Sequence, residues 1–209
     1  MGSILYRQVM SLLFLTYGPT HSGKTTFGRK LRLALGDSAK FIHVDNDEVD
    51  EFIKDKFKNL RNDKEVLARR TPADPDLRLL IPQLVAGYAL REGYSVIATA
   101  AHPKQVIRQS YYNIAKQNGA RIVLLIFRVS DEQAQLRIQE NARSHAILDI
   151  SPHGGVTFED LFEKQKKILE EPTSAEKELC YKVYEISPEN VEEMLQKMTQ
   201  LVNTETSSV

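Results

Sequence analysis

The run Gly18-Pro19-Thr20-His21-Ser22-Gly23-Lys24-Thr25 satisfies the spacing G-x-x-x-x-G-K-[ST] at every required position. Glycines at those two places let successive backbone N–H groups turn inward around an anion, and a helix leaving the loop points its positive end at the same charge. Lys24 is placed to reach the outer phosphates of a bound polyphosphate, and the Thr25 hydroxyl, with Thr26 beside it, to meet the Mg²⁺ that bridges them. The expected chemistry is therefore the capture and transfer or hydrolysis of a terminal phosphoryl group.

Carboxylates come next along the chain. Asp45 and Asp47 open an acidic cluster that continues through Glu48, Asp50 and Glu51, immediately after the apolar run Lys40-Phe41-Ile42-His43-Val44. If that run is a strand of an open parallel sheet, its carboxyl end lies beside whatever the phosphate loop holds. Both aspartates are then candidate catalytic and substrate-binding groups, and Asp45 a candidate metal ligand. Asp45 followed by Glu48 is also the spacing of a helix capping box, and the two readings are compatible. Arg69-Arg70 could grip an anionic substrate group bidentately or be a solvated pair before a loop. His102 and Arg108, following the next apolar run, are placed with the substrate group. His21, His102, His145 and His153 include no pair with metal-ligand spacing on a regular element.

The elements needed to hold these residues are legible in the hydrophobic pattern. Leu12–Tyr17 is a short, continuously apolar run that leads into the loop, and Phe27, Leu31, Ala34 and Leu35 repeat at helical spacing behind it, with Gly36 at the C-terminus. Further strands are expected at Tyr94–Ala100, Ala120–Val129 and Tyr181–Ile186. Between them lie helices carrying Leu80, Ile81, Leu84, Val85, Tyr88 and Ala89, with Pro82 opening or kinking the first, and Val106, Ile107, Tyr111, Ile114 and Ala115. Ser130 and Gln133 form a capping-box spacing at the start of a helix with Arg137 and Arg143. The stretch Ser144–Val156 reads as a loop, Phe158–Glu171 as a helix, and Met194 and Met198 as core positions of a final helix. The whole is an α/β P-loop NTPase fold: a five-stranded parallel sheet flanked by helices, in one domain over residues 1–202. A charged flap is expected at about 48–78, a helical lid at about 131–171, and a flexible tail at 203–209.

Composition excludes some partners and leaves others open. Lys plus Arg number 28 and Asp plus Glu 28, so no overall basic field points to nucleic acid or an anionic membrane. Cys180 is the only cysteine, which excludes an internal disulfide framework and fits a reducing compartment. Leu12–Tyr17 is too short for the core of a signal peptide, and a cytoplasmic location is expected. Met1 and Met10 are both candidate starts, and oligomeric state is left open.

This order of features resembles the small P-loop kinases, in particular the group of zeta toxins, chloramphenicol phosphotransferase, gluconate kinase and polynucleotide kinase. The resemblance spans residues 12 to 187 and rests on the phosphate loop, the Asp-x-Asp after strand two and an arginine-bearing helix after strand four. It implies ATP with Mg²⁺ as cofactors and an alcohol-group acceptor. It also implies Asp45 or Asp47 as the base that takes the acceptor's proton, and Arg137 and Arg143 as lid residues that clamp the transferring phosphate. On residue chemistry alone those arginines could equally pair with Glu140 along their helix. In one respect the chain departs from the pattern: strand three ends in Thr99-Ala100-Ala101, where many relatives carry an aspartate that assists the metal. The expected acceptor is a small molecule; nucleic acid is possible but disfavoured, since the sequence shows no heavy basic groove. A polynucleotide 5′-hydroxyl kinase and a nucleotide-dependent ATPase switch are the alternatives.

Overall fold

In a computed structural model of the chain, residues 10–49, 77–147 and 158–206 are described. Most of the flap, with Arg69 and Arg70, lies outside them, as do residues 148–157 with His153 and the side chain of Arg143. The strands are β1 (Leu12–Tyr17), β2 (Phe41–Asp45), β3 (Ser95–Thr99), β4 (Arg121–Phe127) and β5 (Lys182–Ile186), all parallel in the order β2-β3-β1-β4-β5. The helices are α1 (Lys24–Leu35), α2 (Leu77–Arg91), α3 (Gln105–Gln117), α4 (Asp131–Ile147), α5 (Phe158–Ile168), α6 (Ser174–Glu178) and α7 (Val191–Thr206). Residues 46–49 form a further helical turn.

β1 is central because every one of its side chains can be buried: Leu12 and Phe14 face α1 and α7, while Leu13, Leu15 and Tyr17 face α2 and α3. A strand covered on both faces must be apolar throughout, and each fully buried Leu or Phe contributes roughly 1.5–3 kcal/mol. Its end is tied to β3 through Thr16, whose hydroxyl donates to the Ala100 carbonyl (2.9 Å) and accepts from the Ala100 N–H (3.1 Å). The carboxyl ends of β1, β2 and β3 thereby open on one crevice.

Several helices differ from the sequence pattern in instructive ways. In α2 the buried positions are Pro82, Ala86, Ala89 and Leu90, whereas Leu84, Val85 and Tyr88 are exposed. Pro82 sits inside the helix, not at its start. Small side chains let the helix lie close to the sheet, and the bulky ones are turned away. In α3, Val106 is exposed and Arg108 takes an inward position with Tyr111, Tyr112 and Ala115. α4 continues through residues 144–147, which the sequence suggested as loop. α6, a single turn closed by a Thr173–Glu176 capping box, had no counterpart in the sequence pattern. α7 reaches Thr206, and Glu205 near its end bonds Arg121 and Tyr181, so 203–206 is helix where a tail was expected. Met194 and Met198 are core residues, as expected.

Candidate active site

The loop from Gly18 to Gly23 is built by backbone conformations that its sequence permits. A Cβ on Gly18 would lie 2.6 Å from the Phe127 carbonyl oxygen, at a φ of +145°, so only glycine allows β1 to turn this close to the end of β4. Gly23, at φ +98°, is the N-cap of α1, and His21 also has positive φ (58°). No side chain caps the N-terminus of α1, whose first turn carries no acid. Its amides face a cleft of about 830 Å³ lined by the loop, Asp45, Asp47, Ala100, Ala101, Arg137, Gln165 and Pro188, among others. Lys24 is buried at the cleft floor and donates to the Pro19 carbonyl and to Ser22 Oγ (3.0 Å). Burial pulls its pKa down to about 7, against the opposing fields of Asp47 and Asp45.

The two aspartates differ in their surroundings. Asp45 is 3% exposed, and its Oδ1 accepts from the Asp47 N–H (2.9 Å); Glu48, the other half of the capping-box spacing, pairs instead with Arg29 (2.8 Å). Oδ2 is buried with no hydrogen bond, 4.0 Å from His43 Nε2. Asp47 is exposed. At the end of β3, where no carboxylate stands, the Thr99 hydroxyl is paired with His43 Nε2 at 2.8 Å. Burial holds the His43 pKa below its ordinary value, against Asp45 and Glu48.

From the opposite side of the cleft, α4 brings Arg137 to the loop, with Nη1 donating to the His21 carbonyl at 2.8 Å. Its partner is thus the phosphate loop, although Glu140 lines the same cleft. α5 brings Gln165, whose Oε1 accepts from the Thr20 N–H at 2.9 Å. α4 and α5 share a small apolar core of Ala134, Ile138 and Phe162. An ion such as Mg²⁺ fits the donor set, since the Thr25 hydroxyl and the unbonded Asp45 oxygen are hard oxygen ligands on one cleft. Among the described residues no cluster of three or more His, Cys, Asp or Glu could hold a metal unaided. Such an ion would be shared with a ligand's phosphates.

The family model described as AAA domain matches residues 13–150. The chain belongs to that family. No curated protein matches the sequence. Among solved structures, the chain is similar to the Mycobacterium tuberculosis APS kinase in complex with AMPPNP and APS (16% identity, TM-score 0.55, covering 93% of this chain and 98% of that one). It is also similar to Chaetomium thermophilum Kti12 in complex with ADP-AlF3 (15%, 0.58, 93% and 98%) and to a fungal RNA kinase (12%, 0.58, 96% and 96%). The protein is an α/β domain of the P-loop fold, and its parallel sheet is the one the sequence implied.

Within this AAA domain, two residues expected at the substrate prove to be interior. Arg108 is fully buried, its guanidinium bidentate on Glu176 (2.8 and 3.0 Å) and donating to the His102 carbonyl (3.0 Å), with the Tyr17 ring 5.1 Å away. It cannot reach the cleft. His102 is 1% exposed at φ +41°, its Nδ1 donating to the Thr16 carbonyl (2.7 Å), and burial lowers its pKa to about 4. Its Nε2 has no hydrogen-bond partner. Sequence reasoning missed Gln165, His43 and the Arg108–Glu176 pair, because each acts through a contact between segments far apart in the chain. No local signal marks them. No helix among the described residues is long and apolar enough to cross a membrane.

Proposed function

We propose that this AAA domain is an ATP-dependent kinase that transfers the γ-phosphate to a hydroxyl group of a small-molecule acceptor. The observation that carries the reading is the buried, unbonded Oδ2 of Asp45 on the same cleft as Lys24, Thr25 and Arg137. A hydrolytic switch usually also carries a carboxylate at the end of the metal-holding strand, where this chain has Thr99-Ala100-Ala101, whereas an acceptor hydroxyl needs a group to orient it and take its proton. In this reading the loop amides and Lys24 hold the triphosphate, and Asp45, or failing it Asp47, aligns and deprotonates the acceptor. Arg137, already aimed at the loop, neutralises charge on the transferring group, with Arg143 assigned the same task from its place on α4. Mg²⁺, held by Thr25 and Asp45, would offset charge on the phosphate oxygens. Arg69 and Arg70 are assigned to the acceptor. APS kinase acting on a small molecule supports the choice of acceptor class; the RNA kinase supports the polynucleotide alternative.

The test is transfer of label from [γ-³²P]ATP and Mg²⁺ into a metabolite extract and, separately, into 5′-hydroxyl oligonucleotides, with Lys24→Ala as the blank. A labelled small molecule made only by the unmutated protein is expected. Asp45→Asn should keep its affinity for metal-free nucleotide, which the loop and Lys24 hold, and lose at least about 10²-fold in transfer. Labelled oligonucleotide would replace the small acceptor with a strand. Label found only as inorganic phosphate, at a rate no acceptor changes, would establish the ATPase instead.

A further inference from the structure

The second lid helix reaches the phosphate loop with an uncharged side chain. Gln165 Oε1 accepts from the backbone N–H of Thr20, the third residue of the loop, at 2.9 Å. The position of that amide along a bound polyphosphate follows from Lys24, whose ammonium donates to the carbonyl of Pro19, the neighbour of Thr20. In a loop of this spacing the lysine meets the outer phosphates, and the amides at the helix start meet the inner ones. The Thr20 amide and Gln165 therefore stand at the terminal-phosphate end.

Gln165 is also held firmly there. Phe162, one turn before it, is buried against Ala134 and Ile138. Just beyond α5 the chain is stitched to the body: the Glu170 N–H donates to the Pro103 carbonyl (2.7 Å), and Glu170 Oε2 accepts from the Gln105 N–H (2.7 Å). Glu171 is bidentate with Arg128 (2.7 and 3.0 Å) and accepts from the Tyr17 hydroxyl (3.3 Å). The cations around it point elsewhere, since Lys164 and Lys167 are exposed and Lys166 pairs with Asp131. With Oε1 turned to the Thr20 N–H, the carboxamide still has both Nε2 hydrogens to offer. A glutamate here would keep an acceptor for the amide but set a negative charge beside a phosphate.

We infer that Gln165 reads the terminal phosphate: it fixes the Thr20 amide and donates a hydrogen bond from Nε2 to the γ-phosphoryl group, so that the lid distinguishes a nucleoside triphosphate from a diphosphate. This rests on the nucleotide-binding reading of the cleft and adds a specificity-determining residue to it. A hydrogen bond to a charged partner corresponds to roughly tenfold in affinity.

The experiment compares dissociation constants for Mg·AMPPNP and Mg·ADP by calorimetry on the full chain and on Gln165→Ala and Gln165→Glu. Gln165→Ala should weaken AMPPNP about tenfold while ADP changes less than about twofold. Gln165→Glu keeps the contact to Thr20, so a purely structural strut predicts retained discrimination; the donor role predicts a loss at least as large as for alanine. Equal weakening of both nucleotides, or no change in either, would overturn the role given to Gln165. Failure of the unmutated protein to bind either nucleotide would instead overturn the nucleotide reading and the inference with it.

Discussion

At the scale of single residues, the site contrasts charged groups held in unlike surroundings. Lys24 lies at the cleft floor, where burial lowers its pKa to about 7, while Arg137 stays partly exposed and keeps a planar donor on the His21 carbonyl. A lysine that is half neutral near pH 7 must be protonated to grip phosphate. Below pH 7 it already carries the proton, so nucleotide affinity should be flat; above pH 7 binding must take up a proton, and affinity should fall by up to about tenfold per pH unit. Calorimetry of Mg·ADP binding at pH 7 and pH 9, in buffers of different ionisation enthalpy, should therefore show net proton uptake at the higher pH. Lys24→Arg, with a cation that does not titrate there, should lose this slope even where its affinity is lower.

At the scale of elements, α3, α6 and the carboxyl end of β1 are joined by charge inside the protein. The Arg108–Glu176 pair is buried on both sides, and Glu176 also closes the Thr173 capping box, so one carboxylate terminates α6 and anchors α3. Its pKa is held below the usual range despite the opposing effect of burial, through its bonds to Arg108 and to Thr173. Removing one partner of such a pair leaves a bare buried charge, which costs about 3–5 kcal/mol. Arg108→Met should lower stability by that order in urea denaturation. Because Arg108 does not reach the cleft, nucleotide affinity per folded molecule should be unchanged, where a substrate contact would have given the reverse. α4 and α5, by contrast, share a small apolar cluster of Ala134, Ile138 and Phe162 among the described residues, and the chain at and just after α5 meets the body through polar contacts of Gln165 and Glu170.

At the scale of the whole molecule, the P-loop strand and the loop after β3 are locked by a neutral histidine. His102 has a folded pKa of about 4, below the ordinary value near 6.5, so the unfolded chain binds its proton first. Its contribution to stability is complete above about pH 6.5 and is lost as pH falls toward 4. Between pH 7.5 and pH 5 the loss from this group should be about 2 kcal/mol. His102→Asn tolerates the positive φ and can still donate to Thr16, so it should show a shallower acid loss by urea denaturation, whatever its baseline. The sequence by itself determined the parallel sheet, the phosphate loop and the placing of Asp45 at a strand end, because continuous apolar runs, paired glycines and a strand-terminal acid are local signals of burial and turning. It misjudged the inward face of α2 and the extent of α4, since periodicity ranks large side chains as core while close helix-to-sheet packing selects small ones. Only the tertiary structure decided that Arg108 is interior and that Gln165 belongs to the loop. Their partners, Glu176 and Thr20, lie 68 and 145 residues away in the chain, and a contact over that distance leaves no pattern in either segment alone.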